Sequence, residues 1–156
     1  MRAIAKPIAS LPRLSQLNLY RNRLGDAGSV FLCKQLSVGA CAATLHTLWL
    51  SDNNIHTFPA DILKIAGLAR LFLSANKIKH IPQELALLEK LTEVDIDHNP
   101  TKGLPDDVYY RGMVRLPGAR WDLLRPFFRT QMGLDLPDED DFEDLSVRPK
   151  TGQSTG

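Results

Sequence analysis

Asp95-Ile96-Asp97-His98 is the stretch of this chain best equipped for chemistry. In an extended segment the alternation puts both carboxylates on one side, with an imidazole beside them, a donor set that suits a divalent cation. No second group of ligands accompanies it, and Asp, Asp and His at such positions serve equally well as solvated residues. The two cysteines, Cys33 and Cys41, have no neighbouring motif that would activate a thiolate. Gly25-Asp26-Ala27-Gly28 lacks both the lysine of a phosphate loop and the spacing of a dinucleotide loop. The chain is therefore expected to be no enzyme, with no resident metal or cofactor.

What remains is a set of large side chains held between leucines. Leu45-His-Thr-Leu48-Trp49-Leu50-Ser-Asp-Asn53-Asn-Ile55 returns 23 residues later as Leu68-Ala-Arg70-Leu71-Phe72-Leu73-Ser-Ala-Asn76-Lys-Ile78. Leucines that alternate with one other residue have the period of a strand and point inward, so Trp49 and Phe72 point outward. Asn53 and Asn76 fall where the chain must leave the strand, and an amide side chain there can pair backbone groups that an irregular turn would strand. One such unit cannot bury its own apolar side; stacking neighbours gives parallel strands over a continuous core.

The pattern L-x-x-L-x-L-x-x-N-x-L resembles the leucine-rich-repeat family. The resemblance implies an α/β solenoid: a short curved right-handed superhelix with a parallel concave sheet, a helical or irregular convex side and a C-terminal cap. It also implies that the concave sheet face binds a protein partner. The outward columns across the four strands read Gln16, Thr47, Arg70, Glu93; then Asn18, Trp49, Phe72, Asp95; then Tyr20, Ser51, Ser74, Asp97, with Arg21, Asp52, Ala75 and His98 at the strand ends. Strands ~4.8 Å apart place Trp49 beside Phe72. Aromatics and arginine are preferred interface anchors, so Trp49, Phe72 and Arg70 are the candidate anchors, with Tyr20, Asn18, Asp95 and Asp97 setting specificity.

Around this centre the chain divides into repeats over 1–108, a cap over 109–134 and a tail over 135–156. Residues 1–13 read as half a repeat, because Met1, Ile4, Ile8 and Leu11 match the offsets of the later inward residues. The first of four full repeats, from Leu14, carries Asn22-Arg-Leu24-Gly25-Asp26-Ala-Gly28 and an apolar helical stretch; its wording is similar to ribonuclease-inhibitor-type repeats. Ser37–Thr44 reads as a loop. The next two repeats carry Phe58-Pro59-Ala-Asp-Ile62 and Ile81-Pro82-Gln-Glu-Leu85, resembling the 23-residue repeats of Ras-binding and scaffold-type proteins; each proline suits the start of a short turn or helix. Leu104-Pro105-Asp-Asp-Val108 keeps the register once more. In the cap, Trp121, Leu124 and Phe128 fall at helical spacing. The tail, with seven acidic residues between Asp135 and Leu145, is expected to be disordered when free.

Composition narrows the surroundings. Apolar residues make up 44% and charged residues 24%, ordinary for a globular protein, and no apolar run approaches the ~20 residues of a membrane helix. The absence of paired-cysteine caps points to a cytoplasmic protein with two reduced thiols. Residues 1–134 hold 17 basic and 11 acidic side chains, net +6, whereas the tail is net −5; the tail could dock on the body or on a basic partner, with Phe142 and Leu145 as apolar anchors. An alternative function is a small structural subunit of a large intracellular assembly, a ribonucleoprotein among the options, in which neighbours cover the first strand's edge and a cap that carries Arg111, Arg115, Arg120, Arg125 and Arg129. Nucleic acid on that basic cap, and a metal-dependent enzyme using Asp95 and Asp97, are further alternatives.

Overall fold

The computed structural model describes residues 2–104 and 121–134. Four three-residue strands, β1 (Gln16–Asn18), β2 (Thr47–Trp49), β3 (Arg70–Phe72) and β4 (Glu93–Asp95), form one parallel sheet in chain order. The register is Gln16↔Thr47↔Arg70↔Glu93, Leu17↔Leu48↔Leu71↔Val94 and Asn18↔Trp49↔Phe72↔Asp95, the columns expected from the repeat spacing. The central residue of every strand is buried, as are Leu19, Leu50, Leu73 and Ile96 one step beyond each strand. The inward aliphatic rows thus stack coil on coil into a single core.

The opposite side of that core changes along the chain. In the first repeat the return path contains a 14-residue helix, α2 (Gly25–Val38), whose Leu32, Cys33 and Leu36 are buried. It ends at extended Gly39, so the expected loop starts near its foreseen place. In the 23-residue repeats the helix is replaced by 3₁₀ turns, Ala60–Lys64 and Gln83–Leu87, each entered from a proline, Pro59 or Pro82. The missing proline N–H costs nothing where no backbone partner is due, and its fixed φ suits entry to a tight turn.

An N-terminal helix, α1 (Arg2–Ala9), packs on α2. Here the structure corrects the sequence reading: Ile4 and Leu11 are exposed and Ile8 is half-buried, whereas Ala5 and Ala9 are buried. The helices meet too closely for branched side chains. A Cβ placed on Gly39 would lie 2.4 Å from the Ala9 carbonyl oxygen and 2.7 Å from its Cβ, so alanines fill the contact. Beyond β4, helix α3 (Trp121–Gln131) packs on the Gln83–Leu87 turn. Trp121, Leu124 and Phe128 are buried, and Trp121 Nε1 donates to the Leu91 carbonyl at 2.8 Å. The continuation at Pro105–Val108, the cap residues 109–120 and the tail 135–156 lie outside the described residues.

Candidate functional site

Asparagines bind one coil to the next. Asn53 Oδ1 accepts N–H bonds from Asn22 (3.0 Å) and Leu24 (3.2 Å) of the preceding coil. Its amide nitrogen donates to the carbonyls of Leu19 (2.7 Å), Leu50 (3.0 Å) and Ser51 (3.1 Å). Asn76 repeats this one coil later, accepting from Asn53 N and Ile55 N at 3.0 Å each and donating to Leu50, Leu73 and Ser74. Asn99 accepts from Ile78 N and donates to Leu73, Ile96 and Asp97. The residue before each of these asparagines, and before Asn22, is left-handed: Arg21, Asp52, Ala75 and His98 have φ of 57°, 55°, 53° and 56°. Such backbone costs an L-residue ~1–2 kcal/mol, which the bonds of the amide that follows offset.

This frame fixes the outward face. Trp49 and Phe72, at paired positions of β2 and β3, are half-buried and stacked, with ring centroids 5.4 Å apart and planes within 5°. Neither is sunk in the core, and both stand on one surface. Exposed Arg70 reaches back across β2 and donates through Nε to Thr47 Oγ1 at 3.1 Å. Thr47, expected to face outward with it, is wholly buried; an arginine stem covers a short side chain that points the same way. In the next column Ser74 donates to Ser51 Oγ at 3.0 Å, and Ser51 is also buried. Those two columns therefore offer fewer contact groups than their outward positions imply.

At the β1 side, Tyr20 and Asn18 are exposed. The Asn18 side chain accepts from Tyr20 N at 2.9 Å, which bends the chain out of the strand. Arg21 pairs with Asp52 at 2.9 Å and lies 5.8 Å from the centre of the Tyr20 ring. At the β4 side, Asp95 accepts from Asp97 N at 3.0 Å. Burial, and then the neighbouring Asp95 charge, push the Asp97 carboxyl above its ordinary value, against a smaller opposing pull from His98. Among the described residues no group of three or more His, Cys, Asp or Glu is placed to hold a metal ion. Cys33 and Cys41 are both free and buried, and burial raises both thiols; Cys41 Sγ sits 3.9 Å from the Leu36 carbonyl. A buried thiol held protonated is a poor nucleophile.

Sequence reasoning had no sight of Asp26. Its carboxylate reaches across to the next coil and accepts from His56 N and Thr57 N, at 2.6 and 3.0 Å. Burial works against its charge, but those two N–H bonds, with help from His56, hold the carboxyl below its ordinary value. Position by position Asp26 is the equivalent of exposed Thr57 and His80 in the shorter repeats, so the repeat pattern carried no signal for it. Among the described residues no helix is long and apolar enough to cross a membrane. A comparison with curated proteins finds no match to the chain. The Leucine rich repeat family model matches residues 43–100, the stretch that carries β2, β3, β4 and both 3₁₀ turns. With the parallel register, the asparagine bonds and this match together, residues 43–100 are leucine-rich repeat.

Proposed function

We propose that the chain is a non-catalytic protein-interaction module that binds a protein partner on the outward face of its sheet, with Trp49, Phe72 and Arg70 as anchors. The stacked pair carries this reading. A flat aromatic surface of two rings, left half-exposed and flanked by a guanidinium, is the composition that interface cores favour. Asn18 and Tyr20 on one flank and Asp95 and Asp97 on the other set specificity through hydrogen bonds and charge. The solenoid is curved, with this face concave. The 31-residue first coil is a ribonuclease-inhibitor-like repeat among shorter Ras-group-like ones, and α3 serves as the C-terminal cap.

The test is affinity capture from native lysate with wild type and with Trp49→Ala/Phe72→Ala. Proteins retained by the first and lost by the second, while circular dichroism and the urea midpoint show a folded variant, support the reading. Identical capture by both sinks it.

A second reading, a structural subunit of a larger assembly, draws on the other end of the sheet. Among the described residues β1 has a neighbour on one side only, and Ile4 and Leu11 nearby are about half exposed, at 48% and 50%. A partner strand on that edge would pair its backbone and cover those side chains.

A further inference from the structure

The repeat period sorts charge as well as leucine. Position by position, His56, Lys79 and Lys102 are equivalent residues of three successive coils, 23 residues apart. Lys102 N donates to the Lys79 carbonyl at 2.9 Å, and one coil earlier Lys77 N donates at 2.7 Å to the carbonyl of Ile55, the residue before His56. Lys77 and Lys79 flank buried Ile78 and are both exposed, as are His80 and Lys102. The result is a basic ridge along the side of the solenoid where each chain leaves its asparagine turn.

Its lysines have no counter-charge among the described residues. The ion pairs found there are Arg21–Asp52, His56–Asp26 and Lys64–Asp61. Asp26 therefore answers His56 at the first-coil end of the ridge, and Lys77, Lys79 and Lys102 are left without a partner carboxylate. Glu93, Asp95 and Asp97 lie instead on and just past β4, in the outward columns of the sheet. One solenoid thus carries an acidic strip on its sheet face and a basic one beside it.

We infer that the Lys77–Lys79–Lys102 ridge is the docking surface for the acidic segment Asp135–Asp144 of the same chain. That segment holds seven carboxylates, a match in sign to a ridge whose lysines pair with no carboxylate among the described residues. The choice of surface follows from repulsion as much as attraction: Glu93, Asp95 and Asp97 turn an acidic segment away from the sheet face. The segment follows directly on Leu134, just past the end of α3, and an extended chain spans up to ~3.5 Å per residue. Individual surface ion pairs are weak and screened, but a tethered segment meets its site at an effective concentration of order millimolar. Docking on the ridge leaves Trp49 and Phe72 open, so the inference goes beyond the proposed partner surface and does not depend on it.

The experiment uses the full chain with Ser146→Cys carrying a nitroxide, the native thiols being buried, and reads amide line broadening by NMR. The expected result is strongest broadening at Lys77, Lys79 and Lys102, reduced at least about threefold between 0.05 and 0.5 M salt as the Debye length shrinks. Lys77→Gln/Lys79→Gln/Lys102→Gln should abolish it while strand amides keep their shifts. Broadening that is absent, centred on β2–β4, or unchanged in the triple variant overturns the inference. An equal mixture of isotope-labelled, spin-free chain with unlabelled, spin-labelled chain gives no broadening if the contact is within one molecule. Broadening there assigns the tail of a second copy and overturns the same-chain docking.

Discussion

Asn22 and Asn53 stand at the same position of successive repeats and do different things. Asn53 is buried and its side chain serves five backbone groups in two coils. Asn22 is exposed, and its side chain donates to the Tyr20 carbonyl at 3.0 Å. The amide is the same, so the difference belongs to the coil behind it. An asparagine in this fold is a bond between repeats, and where no earlier coil is packed it returns to being a turn residue.

The contrast can be broken most directly by removing the amides. Asn53→Ala should destabilise by about 3–4 kcal/mol in urea unfolding, because it leaves buried donors and acceptors unmet. Asn22→Ala should cost under about 0.5 kcal/mol. Equal losses at both positions would show that the amides act within their own coils. Gly67→Ala comes next. A Cβ there would sit 2.5 Å from the Ala43 carbonyl oxygen, which is backbone and cannot swing away, so a loss of about 2 kcal/mol is expected. Ala75→Gly sharpens the picture from the other side: φ is 53° there, so the change should raise stability by ~0.5–1 kcal/mol.

The smallest effects concern pH. The Asp26 carboxyl is held low, so its contribution is present above its unfolded pKa and is lost as pH falls through the folded one. Asp97 is raised, so the folded state holds its proton more tightly than the unfolded one, and stability falls as pH rises through that window. At neutral pH, Asp26→Asn should lower the urea midpoint slightly and Asp97→Asn should raise it slightly. A shift of the same sign in both would contradict the opposite surroundings of the two carboxylates.

The strand register was legible because a period of two inside a period of 23 leaves one arrangement of inward leucines. Trp49 beside Phe72 follows from that register, and so do the columns containing Arg70, Asp95 and Asp97. The cross-coil reach of the asparagines was half legible: a backbone partner could be foreseen, but not that it lay in the preceding coil. Helix α1 was not, because offsets copied from repeats with 3₁₀ turns do not describe a helix whose contact is set by Gly39, Ala5 and Ala9. The covering of Thr47 by Arg70 was hidden for a related reason. Alternation says which side a residue points to, and leaves open whether a longer neighbour lies over it.

The asparagine bonds also give the stack a grain. Each amide reaches backward, so the turn of a coil depends on the coil that follows it. Peeling from the first coil removes no amide that another turn requires. The side-chain bonds it takes from the next coil are those of Asp26 to His56 N and Thr57 N, both on exposed residues. Peeling from β4 strips Asn99 from Ile78, then Asn76 from Asn53 and Ile55, and every step orphans backbone in the coil left behind. A molecule pulled apart from its two ends would therefore open unequally, yielding first where Asn22 stands.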